Sequence, residues 1–157
     1  MILIADSGST KTDWALIDAS HVVCREQTQG INPFHQDSTV ISSILAEELS
    51  SVKSFISPMS LLSVFFYGSG VRKELEPVMC ELLSKAFPQA QRVESHSDLL
   101  GAAISVCGTN PGQACILGTG ANSCLYDGKS IVQNTPPLGY ILGDEGSGAV
   151  LGRLFIN

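Results

Sequence analysis

The first twelve residues of the chain are Met-Ile-Leu-Ile-Ala-Asp-Ser-Gly-Ser-Thr-Lys-Thr, numbered 1–12. The apolar run from Ile2 to Ala5 predicts a short buried strand, and residues 13–18 predict a second strand. Asp6 opens the turn of small residues and hydroxyls between them. Gly8 permits a backbone in which successive N–H groups point into one concavity, which suits phosphate oxygens. Taken alone, this stretch is equally compatible with a phosphate-binding turn and with an ordinary polar hairpin.

Length and composition set the broad class of the protein. The 157 residues are 44% hydrophobic and 15% charged, which predicts a folded domain, or one domain with part of another. The net charge is −6 and the largest basic cluster is the pair Arg72-Lys73, so neither nucleic acid nor an acidic membrane is an expected partner. Scattered cysteines and the lack of a signal peptide or a long apolar segment predict a cytoplasmic protein. A homodimer stays open.

The order of predicted elements indicates a mixed α/β sheet. A three-stranded meander is followed by a helix at about 39–52, a strand over 61–67, a helix at about 72–86, a short strand and a helix of small residues. The glycine-rich stretch 108–112 is the best boundary, so we expect domains at 1–110 and 111–157. Beyond it the order of strand, turn, strand, turn, strand returns, followed by the start of a helix.

A second candidate phosphate turn, Gly118-Thr119-Gly120, follows a short apolar strand about 110 residues after the first. Two such turns in two similar lobes could hold the phosphates of one nucleotide from opposite sides. Neither turn is a Walker A loop, and the chain has no G-x-G-x-x-G fingerprint. The pair of turns therefore favours nucleotide binding more strongly than either turn does alone.

Several polar residues lie where a strand or a turn ends. Asp98, between a strand and a helix, fits either a helix cap or a general base that removes a proton from an attacking hydroxyl. Asp144 fits a helix-start acid or an acceptor for hydroxyl groups. Asn32 and Asn122 fit either turn chemistry or the recognition of a sugar or an amide.

Four motifs in this order resemble the BadF/BadG/BcrA/BcrD ATPase family. They are Asp6-Ser-Gly-Ser-Thr-Lys-Thr12, Ser97-Asp98, Gly118-Thr-Gly-Ala-Asn122 and Leu142-Gly-Asp-Glu-Gly-Ser-Gly148. Within that family the chain is most similar to N-acetylglucosamine kinases of the actin/Hsp70/hexokinase-like superfamily. The resemblance implies an α/β fold: a ribonuclease-H-like (actin-like ATPase) lobe with a mixed five-stranded sheet and helices on both faces, plus the first βββα part of a second similar lobe.

The resemblance also implies an activity: ATP-dependent phosphorylation of an amino sugar such as N-acetylglucosamine at its 6-hydroxyl. ATP and Mg²⁺ would be the cofactors, with Asp6 near the metal through water and Asp98 as the catalytic base. The implied phosphate-binding residues are Asp6, Gly8, Ser9, Thr10, Lys11, Thr12, Gly118, Thr119 and Gly120. The implied sugar-binding residues are Asn32, Asn122, Gly139 and Asp144.

The chain departs from the kinase pattern in two places. Pro136-Pro137-Leu138-Gly139 stands where the kinase has Gly-Gly-Trp-Gly, which leaves the contacts to an N-acetyl group open. The chain ends at Asn157, before the family's adenosine-binding segment, so we expect a fragment with poor activity. Two alternatives also stay open: an ATPase that activates a 2-hydroxyacyl-CoA dehydratase through a cysteine-bound iron–sulfur cluster, and a non-catalytic sugar-sensing module.

Overall fold

The computed structural model describes residues 1–135 and 138–156 and contains two compact units. The first unit is Met1–Asp98, and the second begins at Leu99. We expected the boundary near residue 110 instead. The difference comes from the helix between these positions, whose buried residues Leu99 and Ala103 pack with the second unit's core.

The first unit is built on a mixed five-stranded sheet, as predicted. Its strands are β1 (Ile2–Ser7), β2 (Lys11–Asp18), β3 (His21–Gln29), β4 (Leu62–Gly68) and β5 (Ala90–Ser97), in the order β3-β2-β1-β4-β5. The first three form the antiparallel meander, β4 runs parallel to β1, and β5 runs parallel to β4. The carboxyl ends of β1, β4 and β5 therefore meet at one edge of the sheet, where ligands of α/β proteins bind.

Three helices accompany this sheet: α1 (Ser38–Glu47), α2 (Ser50–Ser54) and α3 (Glu76–Ala86). The single helix predicted at 39–52 is wrong, because the chain breaks between α1 and α2. Lys53 Nζ reaches back to donate to the carbonyl of Leu45 at 2.6 Å, and this bond satisfies an orphan carbonyl at the end of α1. The predicted start of α3 at 72 is also too early. Pro77 lies in the first turn, where a missing N–H costs nothing.

The core of the first unit lies on one face of the sheet. Leu3 and Ala5 of β1 face Leu16 and Trp14 of β2 across the ladder, and all four are buried. The Trp14 ring lies 6.0 Å from the ring of Phe66 and 6.5 Å from that of Phe87, measured between centroids. These distances allow the tilted aromatic contacts that add to burial. The indole N–H of Trp14 donates to Thr28 Oγ1 at 3.0 Å.

Replacing Thr28 by valine is expected to lower the free energy of unfolding by about 1–3 kcal/mol. The reason is that the buried indole N–H of Trp14 would lose its acceptor while the shape of the core stayed the same. Urea denaturation followed by tryptophan fluorescence measures this loss. Thr28→Ser keeps the hydroxyl and serves as the control, and an equal loss in both variants would show that the hydrogen bond is not the cause.

The second unit repeats the opening meander, as the sequence predicts. Strands β6 (Gly112–Leu117), β7 (Ala121–Tyr126) and β8 (Ile131–Thr135) form an antiparallel three-stranded sheet in that order. Helix α4 (Asp98–Cys107) precedes them, and α5 (Gly139–Leu142) and α6 (Gly148–Ile156) follow. The core joins Leu99 and Ala103 of α4 to Ala114, Cys124 and Tyr126. In the described residues, no helix has the length and apolar character needed to cross a membrane.

Candidate functional site

The β1–β2 turn is a tight loop with its polar groups on the surface. The N–H of Gly8 donates to the carbonyl of Lys11 at 2.9 Å and closes the turn. Gly8, Ser9, Thr10 and Lys11 are all exposed. The Lys11 ammonium lies 2.9 Å from a carboxylate oxygen of Asp13. The turn therefore offers hydroxyl groups, backbone groups and one cation to an anionic ligand.

Thr12 differs from the other residues predicted to bind phosphate, because its side chain is fully buried. Its hydroxyl oxygen lies 2.6 Å from that of Ser7 and 3.1 Å from the carbonyl oxygen of Gln29. The structure thus places Thr12 beneath the turn rather than on the surface that a phosphate would approach. The sequence could not separate Thr12 from its exposed neighbours, since all of them are small and polar.

Asp6 and Asp13 face each other across β1 and β2 on the exposed side of the sheet. A hydrogen bond from Gln27 Nε2 at 2.7 Å, together with the Lys11 ammonium, holds the pKa of the Asp13 carboxyl below its ordinary value. Two adjacent carboxylates suit a hydrated Mg²⁺, which takes one or two protein oxygens and keeps several waters. The residues present therefore fit the predicted metal role of Asp6.

The loop after β3 carries Asn32 to the same neighbourhood. Asn32 Oδ1 accepts the N–H of Phe34 at 3.0 Å, and Gly70, in the loop after β4, packs directly against this side-chain amide. Gly70 has φ +78°, and a Cβ there would overlap Oδ1 of Asn32. Gly70 is therefore required both by its backbone conformation and by the close approach of the Asn32 amide.

Asp98 is the first residue of α4 and directly follows β5, whose carboxyl end lies beside that of β4. Two residues earlier, His96 Nδ1 lies 3.1 Å from Glu76 Oε1, and its Nε2 lies 3.5 Å from Glu94 Oε2. His96 thus ties the end of β5 to the start of α3. Within the first unit, the turn at Gly8, the Asn32 loop and Asp98 all lie at the edge where parallel strands end.

The second glycine turn is hydrogen-bonded to the start of a helix. The N–H of Gly118 donates to the carbonyl of Gly120 at 2.9 Å, and the carbonyl of Gly118 accepts the N–H of Gly148 at 2.8 Å. Gly148 begins α6, and Ser147 caps this helix by accepting the N–H of Val150 at 3.2 Å. The turn and the positive end of a helix dipole are therefore joined, an arrangement that favours a negatively charged ligand.

Asp144 and Asn122, both predicted to contact sugar, line one depression of about 320 Å³ in the second unit. Asp144 has φ +62°, a left-handed conformation that aspartate tolerates better than most residues. A Cβ at Gly120 would lie 3.2 Å from Asp144 Oδ2, so this carboxylate adjoins the glycine turn. Gly139, at the start of α5, is half-buried and is not among the lining residues. Pro136 and Pro137, which depart from the kinase pattern, lie outside the described residues.

Three residues that shape the first unit's part of the site are not among the site residues predicted from the sequence: Ser7, Gly30 and Gly70. Gly30 packs against the carbonyl oxygens of Gly8 and Ser9, and a Cβ there would lie 2.7 Å from each. For Ser7 a signal existed, because it continues the buried alternation of Leu3 and Ala5. The roles of the two glycines depend on contacts between separate loops, and the sequence does not show those contacts.

Comparison with known proteins supports a kinase-like fold. No protein-family model and no curated protein matches the sequence. Among solved structures, a putative N-acetylglucosamine kinase from Porphyromonas gingivalis is 52% identical, with a TM-score of 0.93 over 99% of this chain and 55% of its own. A putative N-acetylglucosamine kinase from Chromobacterium violaceum is 23% identical, with a TM-score of 0.72 over 98% of this chain and 54% of its own. MreB5 of Spiroplasma citri, bound to ADP, is 14% identical, with a TM-score of 0.61 over 85% of this chain and 50% of its own.

Two conclusions follow from these comparisons. The chain has the fold of sugar kinases and actin-like ATPases, and the predicted likeness to proteins described as N-acetylglucosamine kinases is confirmed. The narrower placement in the BadF/BadG/BcrA/BcrD family stays a prediction. The chain spans about half the length of the solved structures it matches.

Proposed function

We propose that this chain, which is similar over nearly its full length to part of a sugar kinase, supplies nucleotide and sugar contacts of an ATP-dependent kinase for an amino sugar. N-acetylglucosamine is the proposed acceptor and its 6-hydroxyl the proposed site of phosphorylation. The observation that carries the proposal is the arrangement at one sheet edge of the exposed turn at Gly8, the Asn32 loop and the Asp98 carboxylate. The 52% identity to the Porphyromonas gingivalis protein supports it.

The nucleotide side of the proposal rests on the two glycine turns. In the first, Gly8, Ser9, Thr10 and Lys11 offer donors and a positive charge to phosphate oxygens. In the second, Gly118, Thr119 and Gly120 adjoin the start of α6. Asp6 would hold Mg²⁺ through water, and the metal would neutralise charge on the transferred phosphoryl group. Phosphoryl transfer needs mainly positioning and charge neutralisation, which these groups can provide.

The sugar side of the proposal rests on amide and carboxylate groups. The groups proposed to bind sugar hydroxyls are Asn32 in the first unit and, in the second, Asn122 and Asp144, which line the depression there. Amides donate and accept, whereas a carboxylate accepts, so together they match a polyhydroxylated ligand. Asp98 would accept the proton of the attacking hydroxyl. The chemistry assigned to this chain is thus binding, orientation and one proton transfer.

A coupled ADP-release assay tests the proposal directly. The acceptors would be N-acetylglucosamine, glucosamine, N-acetylmuramic acid and glucose, with the 157-residue chain and any longer gene product containing it assayed side by side. We expect turnover that depends on both Mg²⁺ and an amino sugar, and that is greater in a longer product. Sugar binding by calorimetry without any ADP release would instead favour a sugar-sensing module, and the kinase proposal would then fail.

A further inference from the structure

Two hydroxyl groups are buried beneath the first glycine turn. Ser7 closes β1, Thr12 lies opposite it on β2, and both side chains are 0% exposed. Their oxygen atoms are 2.6 Å apart. Buried hydroxyls need partners, because an unmatched one loses its hydrogen bonds to water without replacement. The partners here belong to a separate segment of the chain.

That segment is the end of β3 and the start of the Asn32 loop. The N–H of Ile31 donates to both hydroxyl oxygens, at 3.0 Å for Ser7 and 3.2 Å for Thr12. The carbonyl of Ile31 lies 3.0 Å from Ser7 Oγ, and that of Gln29 lies 3.1 Å from Thr12 Oγ1. Above the hydroxyl pair, the N–H of Gly30 donates to the carbonyl of Thr10 at 3.1 Å.

The protons in this network cannot satisfy every contact at once. The two hydroxyls have two hydrogens between them, but three contacts each require one. These are the contact between Ser7 and Thr12 and the two contacts to backbone carbonyls. One hydrogen therefore lies between the two hydroxyl oxygens while the other points to a carbonyl. Either Ser7 or Thr12 can supply the hydrogen that lies between them. Removing either hydroxyl leaves the N–H of Ile31 with one acceptor instead of two.

We infer that Ser7 and Thr12 are positioning residues that hold the phosphate turn and the Asn32 loop in one fixed relation. The turn residues lie between Ser7 and Thr12 in the chain, and Asn32 directly follows Ile31. Removing either hydroxyl should therefore affect the position of the groups proposed to bind nucleotide and also that of the amide proposed to bind sugar. We call the hydrogen bonds that join Ser7 and Thr12 to Gln29 and Ile31 the brace. The inference rests on the proposed function for its ligands, but the brace itself is present in the ligand-free chain.

The chain offers a matched control for this brace. Ser95, on β5, is 1% exposed, and its Oγ has no hydrogen-bond partner in the part of the chain that the structure describes. Ser7→Ala and Ser95→Ala therefore remove the same buried hydroxyl from two strands of one sheet. Only the first breaks a network. On the Thr12 side, Thr12→Val removes the hydroxyl and Thr12→Ser keeps it.

The test combines amide hydrogen exchange with calorimetry on the 157-residue chain. In the ligand-free protein, Ser7→Ala and Thr12→Val should speed exchange at Gly30 and Ile31 about tenfold, while Ser95→Ala and Thr12→Ser stay within twofold of wild type. The dissociation constants for Mg²⁺-ADP and for N-acetylglucosamine should both rise about tenfold in the first two variants, which is the change expected from losing one buried hydrogen bond.

Each outcome decides a different question. Unchanged exchange at Gly30 and Ile31 in Ser7→Ala would overturn the brace, and so would a rise in the dissociation constant for Mg²⁺-ADP alone. Equal effects of Ser7→Ala and Ser95→Ala would reduce the brace to a general effect of core hydroxyls and would also overturn the inference. If the wild-type chain binds neither probe, the proposed function fails for this chain, and the exchange rates still decide whether the brace exists.

Discussion

Replacing Asp98 by asparagine is expected to reduce sugar-dependent ADP release by about 10²- to 10⁴-fold, the usual contribution of a general base. The carboxylate stands in the first turn of α4, directly after β5. Asparagine has nearly the same size but does not accept a proton at neutral pH. The measurement is the turnover number at saturating sugar and ATP, in whichever form of the protein shows activity.

This substitution also separates the two interpretations of Asp98. If Asp98 only stabilises the start of α4, asparagine should cost no more than the lost charge–dipole attraction, about 0.3–1 kcal/mol of unfolding free energy, and turnover should persist. If Asp98 is the base, turnover falls while calorimetry shows nearly unchanged binding of Mg²⁺-ADP. Near-normal turnover in Asp98→Asn would exclude the catalytic role, whatever happened to stability.

Much of the fold could be predicted from short-range patterns. The strands of the first unit alternate buried and accessible positions, as in β4, where Leu62, Val64 and Phe66 are buried and the residues between them are not. In the sequence, β4 is a short apolar run bounded by turn residues, which is typical of a buried strand, and the alternation is seen only in the structure. The order of elements then limits the topology, because a meander followed by β-α-β connections favours a mixed sheet.

The parts that sequence reasoning missed depend on contacts between distant residues. The helical pattern at 39–52 continues through Leu49, and the break after α1 is supported by the Lys53 ammonium at the carbonyl of Leu45. Residues near 72 fit a helix by composition, yet α3 begins only at Glu76, with Pro77 in its first turn. Local helix propensity does not predict these helix boundaries, since capping and tertiary contacts override it.

The candidate site could be predicted only in part, because some of its residues form local motifs and others are brought together by the fold. Exposed groups of the first turn could be identified from their glycine and hydroxyls, because a short polar turn after a buried strand is a local feature. Asn122 and Asp144 are far apart in sequence, and only the folded second unit brings them to one depression. Thr12 has the composition of a ligand-binding residue but the burial of a core residue. Its location follows from strand register, which places it on the same face as Trp14 and Leu16.

Replacing Gly30 by alanine is expected to destabilise the first unit by about 1–3 kcal/mol, as for other small-to-large changes in packed sites. A Cβ at Gly30 would lie 2.7 Å from the carbonyl oxygens of both Gly8 and Ser9. These atoms are backbone, so the clash can be relieved only by moving the whole turn or the loop. Such a movement would strain the Gly30 N–H bond to the carbonyl of Thr10.

The melting temperature provides the measurement, with Gly8→Ala as the matched control. A Cβ at Gly8 would have the carbonyl oxygen of Lys11, at 3.7 Å, as its nearest neighbour, which is an ordinary contact. Neither glycine has a positive φ, so the two alanines differ in what they touch and not in backbone strain. We expect Gly30→Ala to melt about 3–10 °C lower and Gly8→Ala to stay near wild type. Equal melting temperatures would mean that the turn and the Asn32 loop can move apart without loss of stability. The close packing of these two segments would then contribute nothing to the free energy of unfolding.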